Sequence, residues 1–341
     1  VACTFKQAKT PEERFKLFRL INFYLAIFAL VQSACTLVGY PFSLFTAVVE
    51  GFKRATGFNF HPNEYAKTAG ILIIYFIGVF YSYCRNGSKT LLKDRMLIGI
   101  VIIVNILGFL LSLSKNAFGS AGLCCVLFFG LSLFDIKIQK KILLPIIVFC
   151  VLLIMIITGY QVYTGNDIFA TVTDRFNDTR SLQWRYSVWG YLLGHMDQDT
   201  IWFGHGLTAA NAELYRFLFD TTRETKGQSI FVHNAFINFL YDMGIFGMLI
   251  FTGFFAAIFN GFKRYFQTRE PLFLTVVCLC VFTLVCAITD ECITELNASL
   301  SCWFLITLIY ALFLNTAGED GQISNDTASY SVTEDPLIPE V

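Results

Sequence analysis

Apolar runs of about 18–25 residues recur along this chain, and no other feature limits its folding as strongly. In lipid, the backbone amides and carbonyls of such a run find partners only inside a helix or a closed barrel. Eight stretches qualify as spans: roughly Leu20–Tyr40, Ala66–Cys84, Met96–Leu113, Ala117–Phe134, Ile142–Tyr163, His233–Phe259, Leu272–Thr289 and Leu300–Leu314. Composition agrees, because 15% of the residues are charged where a soluble domain carries about 25%. The net charge is zero, so there is no electrostatic footprint for nucleic acid. The expected fold is an all-α polytopic membrane protein of about eight transmembrane helices, with a long extracytoplasmic loop carrying interfacial helices. The chain opens on Val1, without methionine or a signal-peptide pattern, which reads as a sequence with spans missing at its front.

Lysine and arginine in the short connections set the orientation. Lys6, Lys9, Arg14, Lys16 and Arg19 precede the first span, and Arg85, Lys89, Lys93 and Arg95 follow the second. Lys137, Lys140 and Lys141 follow the fourth, and Lys263, Arg264 and Arg269 follow the sixth. All four clusters fall on one side if each span crosses once, and that side is expected to be cytoplasmic. The chain then divides into a cytoplasmic segment over 1–19, five spans over 20–163, an extracytoplasmic loop over 164–232 and three spans over 233–315. An acidic, lysine-free and arginine-free tail over 316–341 reads as disordered and cytoplasmic. The opposite side also carries the loop Pro41–Tyr65 and the short turn Ser114-Lys115-Asn116.

The 11 cysteines avoid the long loop and mostly sit inside apolar runs, where they serve as small packing residues. His61, His195, His205 and His233 form no metal-ligand spacing, so no metal is expected.

The sixth span is unusual. It begins His233-Asn234, carries Asp242 and places Gly244 and Gly247 three apart. On a continuous helix at about 100° per residue, His233, Ile237, Leu240, Gly244, Gly247 and Phe251 share one face. The glycines then let another backbone approach closely on the histidine's own side. Asn234, Asn238 and Asp242 form a second, polar stripe, and Asp242 must face the interior near a donor, since a charge at mid-bilayer is costly. An interfacial histidine followed by helix-capping asparagines is the plainer alternative. About forty residues upstream, Ser181–Gly194 reads as an amphipathic surface helix. Arg185 lies between Leu182 and Trp189 on its apolar stripe, either snorkelling or holding an anion with its two-pronged fork.

At these residues the sequence resembles the O-antigen ligase and O-antigen polymerase family of bacterial envelope enzymes. The family's histidine motif runs His, then Asn, Ser or Gln, nine residues, Gly, two residues, and Gly, Thr or Tyr. Here His233, Asn234, Gly244 and Gly247 match every specified position. "IWFGHGL", "HPNEY" with Pro62-Asn63, and the turn "SLSKNAF" resemble further family segments, with Lys115 where an arginine is usual and Trp202 where a proline is common. The resemblance implies inverting, metal-independent glycosyl transfer on the extracytoplasmic face of the bacterial plasma membrane. A saccharide would move from undecaprenyl diphosphate to a sugar hydroxyl of a glycan acceptor, with no cofactor. It casts His233 as the base and Arg185 as the stabiliser of the leaving diphosphate. Lys115, Arg180, Asn234, Asn63 and Trp189 would bind substrate, and Gly244 and Gly247 would serve helix packing. The polymerase branch is favoured over a ligase to lipid A core because of Lys115. A transporter or flippase for lipid-linked sugars is the non-catalytic alternative, disfavoured by the absence of an internal repeat.

Overall fold

The computed structural model describes residues 10–49, 52–59, 61–86, 91–132, 179–220, 232–290 and 296–313, with residue 8 and scattered positions between 155 and 177. The expected fifth span, Ile142–Tyr163, the start of the long loop and the acidic tail lie largely or wholly outside these residues.

Helix α1 covers Pro11–Gly39, α2 Pro62–Asn86, α3 Leu92–Leu111 and α4 Lys115–Ser132. Helices α5 (Arg180–Gly194), α6 (Thr200–Phe203) and α7 (Ala209–Asp220) follow, then α8 (Ala235–Gly247) and α9 (Thr252–Thr268), joined by a 3₁₀ turn. Helices α10 (Pro271–Thr289) and α11 (Leu296–Leu312) complete the set. Six helical stretches among the described residues are long and apolar enough to cross a membrane, and Ser299–Leu312 is a shorter apolar helix. The protein is therefore a multi-pass helical membrane protein.

Two boundaries differ from expectation for identifiable reasons. Helix α1 starts well before Leu20 because Thr10-Pro11-Glu12-Glu13 is a capping box: the Thr10 hydroxyl accepts from Glu13 N–H at 3.2 Å, and the Glu13 carboxylate accepts from Thr10 N–H at 3.1 Å. Hydropathy cannot see this charged first part of a helix. The loop Pro41–Tyr65 is not irregular throughout. Strands β1 (Thr46–Val49) and β2 (Phe52–Ala55) pair antiparallel, Thr46 opposite Ala55, so the expected all-α architecture carries one short hairpin in this loop.

Helices α2 and α10 form the enclosed centre. Ile71, Tyr75, Phe76 and Val79 on α2 are fully buried, as are Leu274, Val276, Val277, Cys278 and Cys280 on α10. A methyl group on Gly78 would lie 1.7 Å from the Thr275 hydroxyl, and one on Gly70 would lie 2.5 Å from the Phe282 ring. The two helices thus touch closely over two turns and run antiparallel. Lys67 meets Asp290 at one end, and Ser82 meets Glu270 at the other, about 22 Å away along α2.

A second, smaller core sits at the Lys67 end. Val188 and Leu192 of α5, Ala210 and Leu214 of α7, Val232 and Tyr241 pack together. This lid of short helices is what the long-loop segment contributes among the described residues.

Candidate functional site

The site begins where the hairpin meets α2. Arg54 on β2 is only 2% exposed. Its Nε donates to the Ser112 carbonyl at 2.7 Å, and its Nη2 donates to Asn63 Oδ1 at 2.6 Å. One guanidinium therefore ties the hairpin, the α3–α4 turn and the first turn of α2 together. His61 precedes α2, and its Nδ1 accepts the Asn63 backbone N–H at 3.2 Å. Burial, then the Arg54 charge, push the His61 imidazole down to about 4, so it is neutral near pH 7.

Lys67 lies one turn further along α2, 1% exposed, and its ammonium is 3.2 Å from Asp290 Oδ2. Asp290 ends α10 and is 8% exposed. Its other oxygen, Oδ1, is 3.4 Å from His233 Nδ1, and its backbone carbonyl accepts Ala235 N–H at 3.3 Å. Burial alone would raise the Asp290 carboxyl. Lys67, the hydrogen bond from His233 and Arg185 outweigh it and hold the group well below the usual carboxylate range. An ionised carboxylate only accepts hydrogen bonds, so the proton on His233 sits on Nδ1 and the lone pair on Nε2.

The structure corrects the helical-wheel argument for His233. The residue has φ 53° and stands outside α8, whose N-cap is Asn234. The Asn234 side-chain oxygen accepts from Ile237 N–H at 3.0 Å and so caps the helix. The wheel fails again at Gly244, where φ 65° and ψ −160° break the helix. A side chain there would meet the Trp202 carbonyl at 2.2 Å, and one on Gly204, also at positive φ, would meet the Asp242 carbonyl at 2.4 Å. The backbone that approaches Gly244 thus belongs to "IWFGHGL", while Gly247 is crowded by Phe239 and Met243 of its own helix. The glycines of the two segments serve one joint: His205 N–H donates to the Tyr241 carbonyl and Gly206 N–H to the Asp242 carbonyl, each at 2.9 Å. Asp242 finds its donors there too, accepting from Thr208 N–H and Ala210 N–H at 2.8 Å each, at the start of α7.

Arg185 is half-buried on α5, on the same face as the buried Val188 and Leu192, and its charge reaches Asp290. Trp189 on that face donates its indole N–H to the Val232 carbonyl at 2.8 Å, fixing the residue next to His233. The structure therefore brings Arg185, Trp189, His233 and Asn234 to one end of the bundle, with Asn63 there through α2. Lys115 is half-buried in the first turn of α4, three residues after Ser112. The Arg180 side chain lies outside the described residues.

Sequence reasoning missed Arg54, His61, Lys67 and Asp290. Lys67 had a usable signal, being an ionisable residue inside a marked apolar run. The alternation of spans also put the start of α2 and the end of α10 on one side, where a lysine and an aspartate can pair. Among the described residues no three His, Cys, Asp or Glu side chains gather as a metal would require.

With this geometry in view, the profile of a family described as O-antigen ligase matches residues 99–252, just under half of the chain. Over that segment the chain is similar to the O-antigen ligase family. The matched segment contains Lys115, Arg185, His233 and both motif glycines, whereas Arg54, His61, Asn63, Lys67 and Asp290 lie outside it. No curated protein and no solved structure matches.

Proposed function

We propose that the chain is a metal-independent inverting glycosyltransferase. It moves a saccharide from undecaprenyl diphosphate to a sugar hydroxyl at the extracytoplasmic face of a bacterial plasma membrane. The observation that carries this reading is the buried Lys67–Asp290–His233 arrangement, with Arg185 and Arg54 around it. Lys67 and Arg185 act on one carboxylate and Arg54 acts on His61 beside it, a cationic setting that suits an anionic ligand. The His233 tautomer leaves Nε2 able to take a proton.

The acceptor hydroxyl gives its proton to His233 Nε2 as its oxygen bonds to the anomeric carbon. The bond from that carbon to the diphosphate oxygen breaks, and the diphosphate leaves with the electron pair. One displacement from the opposite face inverts the centre. Asp290 steadies the imidazolium as it forms, and Arg185, with Lys115 and Arg180, balances the charge growing on the leaving group. The basic clusters at the Arg85 end favour the cytoplasm there, which supports an extracytoplasmic position for His233. Chain lengthening between two lipid-linked glycans remains the favoured branch, on the substitution of Lys115 for the usual arginine.

The test is purified protein given an undecaprenyl-diphosphate oligosaccharide, with products resolved by mass. The expected result is release of undecaprenyl diphosphate and a lipid carrying two oligosaccharide units, undiminished by EDTA. Movement of intact lipid-linked sugar across the bilayer without bond cleavage would establish the transporter alternative instead.

A further inference from the structure

The site holds two imidazoles, and their hydrogen bonds fix them in opposite tautomers. His233 presents Nδ1 to a carboxylate and keeps the lone pair on Nε2. His61 does the reverse: its Nδ1 accepts a backbone N–H, so the lone pair there is engaged and the ring proton sits on Nε2. Among the described residues that Nε2 has no partner, and the ring is half-buried at the site's edge rather than sealed. Among the described residues, the charges that act on His61 are those of Arg54, Lys67, Asp290 and His233, and Arg185 acts on the same carboxylate.

We infer that His61 is a substrate-binding residue whose Nε2–H donates a hydrogen bond to a phosphate oxygen of the lipid-linked diphosphate. This rests on the reading of the site as a diphosphate-sugar transferase and adds a residue to it. Arg54 and Lys67 beside the ring favour an anionic oxygen over a neutral sugar hydroxyl as the acceptor. A neutral donor suits the position. It holds the oxygen without adding a charge beside Lys67 and Arg54, and it does not compete with His233 for the hydroxyl proton. The two rings then divide the work, one taking a proton and one only offering a hydrogen bond.

His61 also caps α2 through Nδ1, and a cap alone would explain its presence. Ser, Thr, Asp and Asn are the ordinary choices for that task, and none of them is long enough to carry a donor as far from the helix end as an imidazole Nε2. The two roles separate by substitution. His61→Ser retains a capping oxygen and lacks the distal donor. His61→Gln places an amide N–H near the position of Nε2 and lacks the near acceptor.

The experiment measures binding of undecaprenyl diphosphate to purified protein in detergent, beside the thermal midpoint of each variant. His61→Ser is expected to keep its thermal midpoint and to bind roughly tenfold to a hundredfold more weakly, as loss of a hydrogen bond to a charged group requires. His61→Gln is expected to melt earlier and to bind within a few-fold of the wild type. If His61→Ser binds as tightly as the wild type, or if both variants lose binding only in step with their thermal loss, His61 is a helix cap and the inference fails. If the wild-type protein itself does not bind undecaprenyl diphosphate, it is the donor assignment under the proposed function that fails.

Discussion

The two ends of the α2–α10 pair handle charge differently. At the Ser82 end, Arg19 and Asp94 form a contact of 2.7 Å with side chains 36% and 28% exposed. Arg85 lies 3.9 Å from Glu270, with the pair 30% and 18% exposed. Arg19 and Arg85 each have a carboxylate within reach of water. At the Lys67 end the ion pair is almost sealed, at 1% and 8%, and Asp290 is shared among Lys67, His233 and Arg185. The carboxyl groups report the difference. Burial raises Glu270 above its ordinary 4.5, and the Ser82 hydroxyl and the Arg85 charge do not reverse it. Burial acts on Asp290 too, but the surrounding cations drive it low. The two pairs at the Ser82 end match one cation with one carboxylate, whereas at the Lys67 end a single carboxylate serves Lys67, His233 and Arg185 together.

Replacing Lys67 with Met should separate the ends most sharply. It leaves the Asp290 carboxylate buried without its nearest cation, and the expected cost is about 3–5 kcal/mol in denaturant unfolding. Transfer activity should fall as well, because His233 loses a steady carboxylate. A cost near zero would mean that the pair is no more than a surface contact. Arg185→Lys should have a smaller effect, roughly tenfold in donor use with folding intact, since the charge stays and the fork is lost. Unchanged kinetics would reduce Arg185 to an anchor for α5.

Arg19→Met at the other end should cost no more than about 1 kcal/mol, because both partners stay hydrated. A loss as large as that of Lys67→Met would erase the contrast. The smallest effect concerns pH. His61 is depressed to about 4 from 6.5, so its contribution to stability is present above pH 6.5 and is lost as pH falls toward 4. Asp290, also depressed, acts in the same direction below the ordinary carboxylate range. Glu270 is raised, so its contribution is present below pH 4.5 and is lost as pH rises through its folded value. Acidification should therefore increase hydrogen exchange near His61 and Ala235 and slow it near Glu270 and Leu272. Parallel changes at both ends would contradict the opposite signs.

Much of the frame was legible in the sequence, because apolar length and basic clusters are one-dimensional signals. The α5 helix was legible as well, from Arg185 and Trp189 on one stripe. What the sequence hid depended on breaks and on distance. A wheel drawn through His233–Phe259 assumes one helix, yet Asn234 starts the helix and Gly244 interrupts it. The role of Gly244 could not be read without Gly204, because each glycine makes room for the other segment's backbone. Lys67 and Asp290 are separated by 223 positions and meet only because Gly70 and Gly78 let α2 and α10 close together. Arg54 was hidden for another reason, since the hairpin that carries it reads as a loop.

The most direct test of the account is single-turnover transfer by His233→Asn with bound undecaprenyl-diphosphate oligosaccharide. Asparagine tolerates the left-handed backbone at this position, so the fold should hold and the proton acceptor alone should be lost. The account expects donor binding close to that of the wild type with transfer slowed roughly 10²–10⁴-fold. Transfer at the wild-type rate would show that the proton leaves by another route and that the buried Lys67–Asp290–His233 arrangement serves only to hold the helices together.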